Sequence, residues 1–230
     1  MKNFKTIISL IFGLSLFVLP VKAQEGLSLG ITVGSHSLDQ AADEDVDSNG
    51  TVDAKHSRSD SFKVPAITAS YTKDLAGMMS ITVGAEYVPV SASLSTAVNT
   101  DTDSTDKDSD IDRAVTNRVK ATLDNHLTVF VQPTVNISDA LSVFGTVGYS
   151  EASVDVQGQT QTSTAKNFSP TLEGIRLGLG ARYYVQDGVF VQLEGYQVDY
   201  DTISGTTSDS TKVTVDADDQ VVQMTIGTTF

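Results

Sequence analysis

The feature that most constrains this chain is a set of eight segments in which apolar and polar residues alternate with a period of two. Leu27, Leu29, Ile31 and Val33 share one parity, with Ser28, Gly30, Thr32 and Gly34 on the other. The pattern recurs at Ile67 to Tyr71, Ile81 to Tyr87, Leu127 to Ile137, Leu141 to Tyr149, Ile175 to Val185, Val189 to Leu193 and Val222 to Phe230. Period-two alternation is the signature of strands with one face against an apolar surrounding. Their connections alternate in length. Short turns fall at Asp74 to Gly77, Ser138 to Ala140 and Gln186 to Gly188, and long polar loops fall near residues 37 to 61, 93 to 122, 154 to 170 and 201 to 218. Four long loops at one end and three short turns at the other describe an all-β fold, an eight-stranded antiparallel up-and-down barrel.

The two ends of the chain say what surrounds that barrel. Lys2 and Lys5 precede an apolar run from Ile7 to Leu19, followed by Pro20 and the small-residue site at Ala23, so residues 1–23 read as a cleaved secretory signal. The run is roughly 20 Å long as a helix, short of the roughly 30 Å hydrocarbon thickness. No other window has 18 consecutive apolar residues, so a membrane-integral form of this chain has to be a closed barrel. Residues 24–230 are then one barrel domain. The last segment, in which Met224, Ile226 and the terminal Phe230 share a face, has the length of a tilted transmembrane strand, about 9 to 11 residues. Its aromatic end belongs at a membrane interface. The expected fold is thus a transmembrane barrel with long extracellular loops. A soluble lipocalin-like carrier is the competing reading, with the polarity of the two faces reversed.

Charge and composition exclude several functions. Without Lys2, Lys5 and Lys22, 12 basic residues face 29 acidic ones, a net charge of about −17, so nucleic acid is not an expected partner. There is no cysteine, hence no disulfide framework and no thiol chemistry. On the less apolar faces, Glu86, Arg176, Arg182 and Glu194 stand out. An eight-stranded barrel has an interior just large enough for side chains to fill, and buried charges need partners. These four residues are therefore expected to form a lumen charge network. It acts either as a structural plug or as a network that rearranges to open a narrow ion path.

Asp45, Asp47, Asn49, Gly50 and Asp53 match the first nine positions of an oxygen-ligand calcium loop, but position 12 is His56 in place of the bidentate Glu. Two readings remain open: a weak calcium site, or a solvated acidic loop. No other cofactor is expected. Gly26-Leu-Ser28-Leu-Gly30 fits a nucleophile-elbow pattern but lies within an alternating strand, not at a strand-to-helix turn. His36, His56 and His126 lack metal-ligand spacing and are read as loop or rim residues. Asp124, His126 and Ser150 can be placed together at the outer rim, but a polar rim is expected without any chemistry, and the expectation is a chain without enzymatic activity.

On these segments the mature chain resembles the small OmpA and OmpX-like outer-membrane barrels, including the C-terminal Phe of their insertion signal, carried here by Met224, Ile226 and Phe230. The resemblance implies a place in the outer membrane, contact with its lipid and lipopolysaccharide, and recognition by the barrel-insertion machinery. It also implies a structural or surface-interaction role such as adhesion, exercised through acidic loops toward a surface ligand. In some members it implies narrow ion or solute passage. No periplasmic domain is expected after Phe230.

Overall fold

The computed structural model describes residues 25–45, 49–52, 54–75, 78–94, 97–102, 114–159, 170–186, 188–206 and 212–230. The signal segment expected at 1–23 lies outside them. The strands are β1 (Gly26–Asp45), β2 (Ala54–Asp74), β3 (Met79–Val88), β4 (Ala92–Ser93), β5 (Ala97–Thr102), β6 (Ala114–Asn136), β7 (Leu141–Gln159), β8 (Thr171–Gln186), β9 (Val189–Thr206) and β10 (Lys212–Thr229). They pair antiparallel in the order β3-β2-β1-β10-β9-β8-β7-β6, and β3 pairs with β6 to close the ring. Eight staves therefore form a closed wall, which leaves no free edge within the membrane. The last stave locks onto the first from Ser28↔Thr229 to Asp45↔Lys212.

The third stave is broken into β3, β4 and β5, which all run along β6. The cause is legible in the chain. The β2–β3 ladder stops at Ile67↔Tyr87, and two residues further it would set Pro65 opposite Pro89, neither of which has an N–H to give. Each break slips the register on β6 by one residue, from Val88↔His126 to Ala92↔Leu123 to Ala97↔Val119.

The short turns fall where expected. Between β6 and β7, Ile137 and Ser138 donate their N–H groups to the Leu141 carbonyl at 2.8 and 3.0 Å, and the Ser138 hydroxyl accepts from the N–H groups of Ala140 and Leu141. Between β8 and β9, Gly188 takes a φ of 75°, a left-handed conformation that Gly adopts without steric cost.

The apolar parity faces outward. Leu27, Leu29, Ile31, Val33, Ile67, Val83, Leu127, Val129, Ile175, Leu177, Leu179, Met224 and Ile226 are all exposed, Ile31 at 68%. On β6 this belt runs from Leu127 to Ile137, roughly 25 Å along the barrel axis for a strand tilted as in outer-membrane barrels. Tyr87 and Tyr149 stand at its outer rim. The lipocalin-like reading is corrected here. An apolar wall of this height facing outward around a polar lumen is suited to lipid and not to water, and the polar parity is the buried one.

A second correction concerns the long loops. Most of 37–61 and 201–218, and much of 93–122 and 154–170, is ladder: β1 continues to Asp45, β2 begins at Ala54, β9 continues to Thr206 and β10 begins at Lys212. In these outer halves the apolar parity switches sides. Leu38, Val64, Val198, Ala217 and Val221 point inward, while Ser37, Asp39, Lys63, Asp199 and Asp218 point out. The outer barrel thus has the polarity of a water-soluble one, with an apolar core inside.

Candidate functional site

The lumen is built in layers, because inward residues recur every second position and each layer draws on neighbouring staves. Much of its polarity is used in cross-strand hydroxyl pairs: Ser28 with Thr229 at 2.8 Å, Thr32 with Thr225 at 2.7 Å, Thr72 with Thr82 at 2.8 Å and Thr128 with Ser150 at 2.8 Å. Hydroxyls suit this position, since each both donates and accepts and so satisfies its partner inside a narrow wall.

The central layer carries charge. Arg176 on β8 reaches across the barrel, with Nη1 donating to Glu86 Oε1 of β3 at 2.8 Å and Nη2 to Glu194 Oε2 of β9 at 3.0 Å. The guanidinium carbon lies 3.6 Å from the Tyr196 ring centroid and 5.9 Å from that of Phe130. Gln223 on β10 donates from Nε2 to both carboxylates, at 3.1 Å each. Arg176 and Glu194 are 1% exposed and Glu86 4%. One cation thus serves two buried carboxylates, and a neutral amide completes the bridge. Arg176 Nε and Glu194 Oε1 are buried without a hydrogen-bond partner.

Three of the four expected network residues are brought together in this way. Arg182 is not among them. It sits one layer group nearer the short turns, where Nε and Nη2 both donate to Gln192 Oε1, at 3.0 and 2.8 Å, and the guanidinium lies 4.6 Å over the Phe190 ring. Its partner is an amide, not Glu86 or Glu194.

Sequence reasoning missed the layer above. His36, read as a rim residue, is buried in β1 with Nδ1 2.6 Å from Asp219 Oδ2, and it stacks on Phe62 at 5.0 Å between ring centroids. His126 Nε2 lies 3.5 Å from the Tyr200 hydroxyl. The parity of His36 with Thr32 and Ser28 was the available signal, masked by the assumption that the strand ends near residue 36. Beside and above this layer, Leu38, Leu94, Val154, Leu172, Val198 and Val221 belong to one buried apolar cluster, with Val221 opposite His36 and Val198 opposite Asp219. These side chains make an apolar cap on the long-hairpin side of the Arg176 layer that also holds the buried His36 and Asp219.

Ser28 lies in a strand and is bonded to Thr229, and Ser150 is fully buried against Thr128, so neither is at an open site. In the acidic turn, both Asp45 oxygens accept backbone N–H groups, from Asn49 at 3.0 Å and Gly50 at 2.8 Å, and Asn49 Oδ1 accepts from Thr51 at 2.8 Å. Gly50 takes a φ of 87°. Asp47 and Asp53 lie outside the described residues. Among the described residues no group of three or more His, Cys, Asp or Glu is arranged to hold a metal ion. Met224, Ile226 and Phe230 all face outward, Phe230 at 73% exposure.

Outside the belt, Asp199, Asp218 and Asp39 stand directly opposite one another on three adjacent staves. Partial burial, followed by the neighbouring Asp199, Asp39 and Asp216 charges, pushes the Asp218 carboxyl above its ordinary pKa. At the opposite end of the barrel the exposed Glu25 and Lys73 pair at 2.5 Å, a contact that lowers the Glu25 pKa and raises that of Lys73.

The family model of the outer membrane protein β-barrel domain matches residues 9–230. Among solved structures, the chain is similar to the outer membrane protein OprG from Pseudomonas aeruginosa, with a TM-score of 0.54 and 13% identity over 91% of this chain and 99% of that one. It is also similar to the outer membrane protease OmpT from Escherichia coli, with a TM-score of 0.52 and 10% identity over 94% of this chain and 99% of that one. At these identities the likeness is one of fold. No curated protein matches the chain in sequence.

Proposed function

The chain belongs to the outer membrane protein β-barrel domain family, and from that premise we propose that it is a non-enzymatic surface barrel that presents its long hairpins to the environment, in an adhesive or other surface-interaction role. Its place is the outer membrane, with the short turns on the periplasmic side and the long hairpins outside. The observation that carries the proposal is the continuation of the wall beyond the lipid belt over an apolar core. From Ser35 to Asp45, β1 rises roughly 25 Å above the belt at the usual strand rise and tilt. A core inside that extension makes it a rigid pedestal for the hairpin tips, and binding residues are commonly carried on loops held by a rigid scaffold.

The same apolar cap weighs against a narrow ion channel, since Leu38, Val198 and Val221 fill the outer lumen beside a His36–Asp219 pair whose facing atoms are already engaged. Ser150 is buried against Thr128 and His126 lies against the Tyr200 hydroxyl, which favours the non-enzymatic reading. The outward Met224, Ile226 and Phe230 suit recognition by the insertion machinery, and the belt and its acidic rim suit contact with lipid and lipopolysaccharide.

Two measurements test the reading. Purified barrel in planar bilayers should give no discrete current steps, and a steady ohmic conductance overturns the sealed lumen. Cells displaying the barrel should adhere to matrix- or glycan-coated surfaces, and cells with residues 46–53 and 207–211 replaced by short Gly-Ser turns should not. Equal adherence at equal surface level sinks the surface role.

A further inference from the structure

The break in the third stave marks one spot on the outer rim, and what it implies rests on the outer-membrane placement alone, not on any adhesive role. The β2–β3 ladder ends at Ile67↔Tyr87, and Tyr87 is level with Leu127 at the top of the lipid belt. Two residues higher, Pro65 and Pro89 come opposite one another, so the break leaves no N–H of either residue unpaired. Among the described residues β2 has no ladder partner on this side above Ile67, and β4 and β5 pair with β6 alone. Side chains close the wall instead: Val64 and Ala66 of β2, Val88 of β3 and Ala92 of β4 form one buried apolar cluster against Phe62 and Leu123.

On the outer side, Pro65, Ile67, Tyr87, Pro89 and Val90 are all exposed and carry the apolar surface of the belt past its rim. Lys63 stands directly above them, exposed, and makes no ion pair among the described residues. It lies four residues above Ile67, roughly 10 Å along the barrel axis for a tilted strand. That is close above the headgroup layer, which a lysine stem is long enough to reach. On β7 to β9 the outer rim carries the exposed carboxylates of Glu151, Glu173, Asp199 and Asp201 instead.

We propose that this break is a docking site for one phosphate-bearing lipid of the outer leaflet, the phosphorylated glycolipid anchor of lipopolysaccharide, with an acyl chain along Pro65, Ile67, Tyr87 and Val90 and a phosphate on Lys63. The apolar patch is continuous with the lipid belt, so the same solvent covers both. A polypeptide strand adding to β2 here meets prolines on both sides of the break, where the donors it needs are missing. Charge selects an anionic head, since Lys63 attracts it while the carboxylates on β7 to β9 repel it.

The test uses the full barrel in non-ionic detergent with diphosphoryl lipid A as the probe, read by native mass spectrometry. Wild type should retain one lipid A and several-fold less of its dephosphorylated form. Lys63→Gln should retain lipid A several-fold less than wild type, while Lys55→Gln at the hairpin end should match wild type. In cells, benzoylphenylalanine placed at Val90 should cross-link to lipopolysaccharide. No retained lipid A, equal retention of the dephosphorylated form, or undiminished retention in Lys63→Gln overturns the proposal, as does an equal loss in Lys55→Gln. A Val90 cross-link to polypeptide also overturns it, and marks strand addition or a second copy of the chain. If Lys63→Gln lacks the folded, heat-shifted gel band, Lys63→Arg and Val90→Ser decide: retention must hold in the first and fall in the second, and any other result sinks the site.

Discussion

Replacing Arg176 with Met removes the one cation shared by two buried carboxylates and leaves their geometry otherwise in place. Glu86 Oε2 and Glu194 Oε2 each lie 3.1 Å from the same Gln223 nitrogen, so the two oxygens are at most about 6 Å apart. Two unit charges at that distance repel by roughly 3 kcal/mol at an effective dielectric of about 20. Breaking a buried ion pair by removing one partner typically costs about 3–5 kcal/mol, which is consistent with that repulsion plus the lost contacts to Arg176. The Tyr196 ring also loses the guanidinium 3.6 Å from its centroid. Arg176→Met should therefore lower the unfolding free energy by about 3–5 kcal/mol, a large share of the roughly 5–15 kcal/mol typical of a domain. Glu194→Gln alone leaves a one-to-one Arg176–Glu86 pair. It trades a charge-assisted bond for relief of repulsion and should stay within about 1 kcal/mol of wild type. In the Arg176→Met background, the same change should recover about 2–3 kcal/mol by removing the repulsion. The assay is urea unfolding in lipid vesicles at neutral pH, read by the heat-modifiable gel shift and by tyrosine fluorescence. If Arg176→Met costs less than about 1 kcal/mol, or if Glu194→Gln fails to rescue it, the charges are not coupled as the distances require.

Other perturbations separate the faces of the wall. Leu179→Arg, on the lipid-facing parity, should cost about 2–4 kcal/mol near the bilayer midplane in a vesicle-folding titration, whereas Ser57→Arg, exposed on the outer ladder of β2 opposite Ala41, should be near neutral. Leu38→Ala in the apolar cap should cost about 2–5 kcal/mol by the same assay, as a buried large-to-small change does. A Cβ at Gly180 would stand 2.3 Å from the Phe144 ring and 2.6 Å from the Leu193 carbonyl oxygen, so Gly180→Ala should destabilise by about 1–3 kcal/mol. For Asp218 the folded-state pKa is raised, so ionisation opposes folding. Its contribution should become more favourable as pH falls through that raised value, so Asp218→Asn should raise the unfolding midpoint at neutral pH, with its advantage over wild type shrinking as the pH falls. An advantage of the variant that grows on acidification contradicts that sign.

The membrane half of this barrel was legible in the sequence because lipid imposes one rule along each stave. Residues such as Leu27, Ile31, Val129 and Leu177 must all face outward, so alternation with a single sense marks every strand. The parity of Glu86, Arg176 and Glu194 placed them in the lumen for the same reason, since a charge on the lipid face is costly. Above the belt the surrounding medium becomes water, and the apolar side moves from Val33 outside to Leu38 inside within a few residues of β1. A pattern that inverts at an unseen boundary reads as irregular polar loop, which is why the outer ladders of β1, β2, β9 and β10 and the burial of His36 and Asp219 were not apparent. Pairing across the ring was equally out of reach. Glu86 and Gln223 are 137 residues apart in the chain, and Arg182 shares the face of Arg176 yet meets Gln192 on the neighbouring stave. Parity is a local property set by backbone geometry and solvent, whereas the partner of each lumen charge follows from the register and closure of eight staves, which only the tertiary structure decides.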